Sequence, residues 1–230
     1  MRTLSIFVVG LIVATSSGCF VVNLMSKTIP GSGVTATDVR ELESFDVIEF
    51  AGAGSVSVTC GGEPGLTLTV DDNLAAFYRT EVSGGVLKIW HKENVQPTIG
   101  PTFEITTAQL KEVEVAGSGK FDVQGLDGPE FAFSVAGSGT ITANGKVDNL
   151  SVDIAGSGKF QMEDLVADDV EINIAGSGSG VIHANKNLDV EVAGSGKVEY
   201  IGSPEVKQSI AGSGKVSQRS PGIAEAEPAG

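Results

Sequence analysis

Val113-Glu114-Val115-Ala116-Gly117-Ser118-Gly119-Lys120-Phe121-Asp122-Val123 reads as a strand, a corner of small residues and a second strand, and the pattern returns along the chain. The tetrapeptide Ala-Gly-Ser-Gly stands at 116–119, 136–139, 155–158, 175–178, 193–196 and 211–214, at spacings of 20, 19, 20, 18 and 18 residues. Counting back from each alanine, the first, third and fifth residues are apolar in nearly every copy, as in Phe131, Phe133 and Val135 or Val170, Ile172 and Ile174. The residues between them are polar (Glu114, Ser134, Asp153, Asn173, Glu191, Ser209), so each segment alternates with period two and reads as a half-buried strand.

Two short strands in about 19 residues cannot enclose a core of their own. Such units bury their apolar rows by stacking on one another, strand upon strand at about 4.8 Å. The expected fold is therefore all-β, a parallel β-helix or β-solenoid with coils of about 19 residues. Glycines suit a corner where coils approach closely and the backbone takes positive φ. The fourth copy reads Ser177-Gly178-Ser179-Gly180, and its second Ser-Gly pair reads as an insertion tolerated in a loop.

Residues 45–108 carry a degenerate form of the pattern. Ile48-Glu49-Phe50-Ala51-Gly52-Ala53-Gly54-Ser55-Val56-Ser57-Val58 repeats the strand, corner and strand, and strand-like runs follow at 66–70, 86–90 and 103–106. The expectation is one solenoid domain over 45–218, irregular in 45–108 and regular in 109–218, with an antiparallel cap as the alternative for the weaker half. It would have roughly nine coils and a length of about 40 Å at the strand spacing. A disordered tail over 219–230 would follow, and Gln208 together with Ser217-Gln218-Arg219-Ser220-Pro221 reads as a polar cap that closes an edge otherwise open to another chain.

The chain opens with Arg2, an apolar run from Leu4 to Ala14 and the small residues Thr15-Ser16-Ser17-Gly18 before Cys19. That is a secretory leader over 1–18, too short to span a bilayer as a helix. Small residues before a cysteine resemble a lipoprotein signal, which makes Cys19 the acylated first residue of the mature chain and 19–44 a flexible tether. Phe20 follows the cysteine, where an Asp would favour retention at the inner membrane, so the expected place in a Gram-negative cell is the outer membrane. The domain would face either the cell surface or the periplasm. Cys60 is the other cysteine, read as a small side chain at a strand end.

A formal charge of −14, moving to about −15 once the leader with Arg2 is removed, argues against nucleic acid and anionic lipid surfaces as partners. His91 and His183 are the only histidines, in separate parts of the chain. No Asp or Glu stands in a recognisable triad, and no metal-ligand spacing occurs. The Gly-Ser-Gly corners lack the Gly-x-Ser-x-Gly frame of a nucleophile elbow. No catalytic residue, metal or cofactor is expected. Calcium-binding solenoids need an acidic ladder after the corner, and here that row reads Asp122, Thr142, Gln161, His183, Glu199 and Ser217.

Surface features remain. Lys120, Lys159, Lys197 and Lys215 each follow a corner and would align along one edge, interrupted by Thr140 and Val181. That edge could hold an acidic polymer or keep solenoids from pairing edge to edge. Trp90, His91, Tyr78 and Arg79 are the candidates for a recognition patch in the irregular half.

The strand and Ala-Gly-Ser-Gly coils, Phe45-Asp46-Val47-Ile48 before the first small-residue corner and the lipoprotein-like leader together resemble the head GIN domain family of auto-transporter adhesins. The resemblance covers about residues 45–216 and implies an exported bacterial β-helix. The chain carries no recognisable translocator barrel of its own, which favours a lipid-anchored protein over auto-transport. Its first functional expectation is a non-enzymatic envelope lipoprotein with an adhesive or ligand-binding face for a surface polysaccharide or an envelope protein. The alternative is a structural or assembly element of the envelope, oligomeric through its flat faces. A polysaccharide-cleaving enzyme would need clustered acids and bases that the sequence does not place.

Overall fold

The computed structural model describes residues 28–219; the leader, Cys19, the tether as far as residue 27 and the tail from residue 220 lie outside the described residues. The first half holds β1 (Ile29–Pro30), β2 (Thr35–Glu41), β3 (Val47–Gly52), β4 (Ser55–Cys60), β5 (Gly65–Asp71), a 3-10 turn at Ala75–Phe77, β6 (Tyr78–Ser83), β7 (Val86–His91), β8 (Val95–Gln96) and β9 (Thr102–Thr107). The second half holds β10 (Glu112–Gly117), β11 (Lys120–Gly137), β12 (Thr140–Gly156), β13 (Lys159–Gly176), β14 (Ser179–Gly194), β15 (Lys197–Ile201), β16 (Glu205–Gly212) and β17 (Lys215–Gln218).

From β10 onward every pairing is parallel and joins each coil to the next, giving a β-solenoid of about five turns. The register aligns like with like. Val113, Phe133, Val152, Ile172 and Val190 form one inner ladder, and Val115, Val135, Ile154, Ile174 and Val192 form the next. All ten side chains are buried, and each such burial contributes about 1.5–3 kcal/mol before chain entropy is charged against it.

The corner explains its own sequence. Gly156 has φ +130°, and a Cβ there would run into the carbonyl oxygen of Gly137 one coil earlier. That same carbonyl accepts the Ser157 N–H at 2.8 Å, so the close approach is also the hydrogen bond that joins the coils. Two residues on, a Cβ at Gly158 would press on the Val135 side chain in the core, which is why the second glycine is also required. The Ser179-Gly180 pair is not a loop insertion. Ser179 continues the strand opposite Lys159 and Lys197, and Gly180 leaves its inward position to the ring of Phe160.

The first half corrects the expectation of nine coils in chain order. β3 stacks in parallel on β10, and β4 on the opening of β11, continuing the stack backward. The next rung comes from later in the chain, with β7 parallel to β3 and β9 parallel to β4. Antiparallel partners then close the end: β6 hairpins onto β7, while β5 lies between β9 and β2. One wall of the solenoid is thus an eight-rung ladder, β7-β3-β10-β11-β12-β13-β14-β16.

The tether expected over 19–44 is, from residue 28, part of this closure. β2 pairs with β5 over seven residues, and β1 pairs with β8. Asp71, fully buried at the end of β5, accepts the N–H groups of Gly33 at 2.7 Å and of Thr98 and Ile99 at 3.0 Å each. Burial alone would raise its pKa, but the hydrogen bonds from Ile99, Gly33 and Thr98 outweigh it and hold the carboxyl below the ordinary value. Phe50 joins the halves, with its ring edge-on to Phe103 and to Phe121 at 5.5 Å in both cases.

Candidate functional site

The outward residues of the eight-rung wall form rows by the same register that builds the core. Next to the corner runs a row of alanines (51, 116, 136, 155, 175, 193 and 211), exposed because the strand alternation turns them outward. Beside it runs a polar row of Glu49, Glu114, Ser134, Asp153, Asn173, Glu191 and Ser209. Methyl groups beside longer polar side chains leave a shallow groove of about 870 Å³ along the wall.

Trp90 stands at one end of this groove. Phe50 pairs with Ile89, so the next residue outward on β7, Trp90, falls in line with Ala51 and closes the alanine row with a half-buried indole. Lys88 closes the polar row in the same way and meets Glu49 at 2.8 Å. The Glu49 hydrogen bond and charge hold the Lys88 ammonium above its ordinary pKa. Asn173 donates to Asp153 at 3.1 Å, joining neighbouring rungs along the polar row, and to Glu171 at 3.2 Å on its own strand. At Glu112, on the same wall, burial and then the Glu114 carboxylate push the pKa up, a sign of how densely acid groups are set there.

The four candidates of the irregular half come together as cross-strand pairs of one hairpin, Tyr78 opposite His91 and Arg79 opposite Trp90. They do not share one exposed patch. Tyr78 is buried with its ring edge-on to Phe103 at 5.9 Å, so it supports the hairpin from beneath. His91 is exposed, with Nδ1 at 2.9 Å from the Glu93 carbonyl oxygen, and Arg79 is exposed on the neighbouring strand.

Lys120, Lys159, Lys197 and Lys215 do line up, on the wall beyond the corner. The row reads Ser55, Lys120, Thr140, Lys159, Ser179, Lys197, Lys215, so the second interruption is Ser179 and not Val181. Val181 takes the next outward row, opposite Gln161 and Glu199, in the place expected for His183. All four lysines are exposed, and none has a salt-bridge partner among the described residues.

Cys60 is half-buried against the core, and burial pushes its thiol up to about 11, which leaves little thiolate at neutral pH. Among the described residues no group of His, Cys, Asp and Glu side chains is arranged to hold a metal ion, and no helix is long and apolar enough to cross a membrane. The groove itself was missed by the sequence reading, although its signal was present. The residue two before each corner alanine is polar and the alanine is small, which puts a low row beside a high one on the outer face.

No curated protein matched. Among solved structures, the chain is similar to a "putative lipid binding protein" of Parabacteroides distasonis, with 27% identity over 84% of this chain and 100% of that one and a TM-score of 0.58. It also shares its fold with a "putative adhesin" of Bacteroides fragilis, at 21% identity over 84% and 99% of the two chains and a TM-score of 0.66. A third, a "putative adhesin" of Parabacteroides merdae, has 21% identity over 84% and 99% and a TM-score of 0.55. None of these names describes an enzyme. The family described as "Putative auto-transporter adhesin, head GIN domain" matches residues 44–204, from the strand before the first corner to the last full coil, and the chain belongs to that family.

Proposed function

We propose that this protein is a non-enzymatic adhesive head of the bacterial cell envelope, held by an acyl chain on Cys19, that binds an extended glycan along the alanine groove. One observation carries the reading: the groove follows a whole wall of the solenoid and ends at Trp90. A repeating floor suits a repeating ligand. The sugar ring presents C–H groups to methyls and to an indole face, and hydroxyls to Asp153, Asn173 and Ser134. The crowded carboxylates of this wall favour a neutral or amino-bearing polymer over an acidic one. The adhesin names of the family and of two of the similar structures fit a surface-binding role, and the name of the Parabacteroides distasonis protein keeps lipid as a competing ligand.

The test is binding of the full chain to arrayed envelope and host glycans, with lipid vesicles as a parallel arm. Trp90→Ala is expected to weaken glycan binding at least tenfold with melting unchanged, whereas serine at Lys120, Lys159, Lys197 and Lys215 should leave it within twofold. The opposite pattern would move the binding face to the lysine row. Vesicle binding without glycan binding would replace the ligand class. Protease shaving of intact cells, with Cys19→Ser as the control for anchoring, tests the location. Cleavage without opening the outer membrane is expected, and protection would overturn the adhesive role.

A further inference from the structure

The solenoid is closed at one end and open at the other. At the first end, β2, β5 and β6 cover the last parallel rung. At the second, among the described residues, β16 and β17 each have a partner on one side only, β14 and β15. Ile210 on β16 occupies the inner position held one coil earlier by Val192, yet it is 38% exposed against 2% for Val192. Val206 and Val216 are half-buried where the corresponding Leu188 and Val198 are buried. An open rung with free backbone groups and exposed aliphatics is a strong pairing surface.

The backbone geometry specifies how that surface pairs. Ser213 N–H donates to Gly194 O at 2.9 Å, and β16 keeps one register against β14 from Glu205 to Gly212. In such a parallel pair alternate residues turn their polar groups to the partner, so the odd-numbered residues of β16 face β14. Val206, Gln208 and Ile210 therefore turn both N–H and C=O to the open edge, and they are also the three residues whose side chains face the interior. An antiparallel partner that placed Gln208 opposite Gln208 would set Val206 opposite Ile210 and Ile210 opposite Val206. All three would be hydrogen-bonded pairs, each side chain would meet its complement, and the outer residue Lys207 would face Ser209. Lys207 is already neutralised by Asp189 at 2.6 Å, so no like charges oppose each other. Residues 220–230 contain two prolines and one large apolar residue, Ile223, so their sequence holds no alternating apolar row to complete another rung.

We infer that the open end is a homophilic interface: β16 of one copy pairs antiparallel with β16 of a second copy across a two-fold axis at Gln208. The strand edge matches itself in hydrogen bonding, apolar contact and charge, which is what an isologous interface requires. The inference goes beyond glycan binding and does not depend on it, because the groove lies on the outer wall and this edge lies at the end of the stack.

Two measurements test it on the full chain. In detergent solution, light scattering after size exclusion should give a dimer for the wild type and a monomer for Gln208→Pro. Proline at Gln208 removes an N–H that has no partner among the described residues and adds bulk only at the edge, so the fold and the melting temperature should be kept. In cells, the double variant Lys207→Cys/Ser209→Cys should form a disulfide-linked species of twice the chain mass, whereas each single variant should not, since the register pairs 207 with 209. A monomeric wild type, a dimer that survives Gln208→Pro, or crosslinking by either single variant as efficient as by the double would overturn the inference.

Discussion

The halves of this solenoid reach the same inner ladders by different means. From β10 to β17, each coil rests on the coil before it in the chain, and one corner geometry recurs: a positive-φ glycine, the preceding coil's carbonyl and the next serine N–H. In 28–107, the rung at β7 and β9 lies beneath β3 and β4 although it comes later in sequence, and three antiparallel pairings lock it in place. The regular half repeats a local rule, while the mixed half depends on contacts between distant segments, such as Asp71 holding both Gly33 and the 98–99 backbone. Repetition alone does not terminate a stack, so the closed end needs chain that breaks the rule.

The largest effect is expected at a regular corner. Gly156→Val places a branched side chain at φ +130° against the Gly137 carbonyl, costing about 4 kcal/mol in strain and overpacking. Denaturant unfolding of the full chain would measure it. Next comes Asp71→Asn, whose loss should stay within the closed end. Protease cuts are expected near residues 28–34 and 95–101, while amide exchange in β11–β14 stays as slow as in the wild type. The wild type has a matching pH dependence. A carboxyl whose folded pKa is lowered stabilises above its unfolded value of about 3.9, and that support is lost as pH falls through the folded value. Acid should therefore raise exchange in β1, β2 and β8 before the regular coils respond.

A smaller effect is expected at the degenerate corner. Gly52 has φ +149°, but its nearest neighbour is the side chain of exposed His91 at 3.4 Å and not a backbone carbonyl, so Gly52→Ala should cost about 1 kcal/mol. A loss at Gly52 as large as at Gly156 would erase the distinction between the two corners. Smallest of all, replacing Lys120, Lys159, Lys197 and Lys215 by serine should shift stability by no more than about 0.5 kcal/mol per site, since each is exposed and unpaired among the described residues.

The regular half was legible in the sequence because every determinant of its register lies within one repeat. Val152, Ile154, Gly156 and Gly158 each carry their role at a fixed offset from the corner. The mixed half was not, because alternation marks a strand without naming its partner. Leu66, Leu68 and Val70 alternate equally well whether β5 pairs parallel or antiparallel, and the choice is made by β9 and β2 far away in sequence. One signal was overlooked: Ser83-Gly84-Gly85-Val86 has the glycine pair of a tight hairpin, and both glycines take positive φ, 61° and 84°. Reading it would have placed β6 against β7. The position of Trp90 at the end of the alanine row stayed hidden for the same reason, since it depends on β7 lying beneath β3. Asp71 has no signal in its own neighbourhood, because only the fold brings three N–H donors to it.

The corner hydrogen bond has a consequence for how such a chain changes over generations. Each Gly-Ser-Gly turn bonds only to the turns directly before and after it, so duplicating or deleting one whole coil between Ala116 and Ala193 regenerates the corner hydrogen bonds at the new junction. A partial coil would break the register of everything after it. The reach of the molecule is therefore inherited in whole steps of about 4.8 Å. Gene duplication can lengthen or shorten the binding wall without the closed end or the open edge having to adapt.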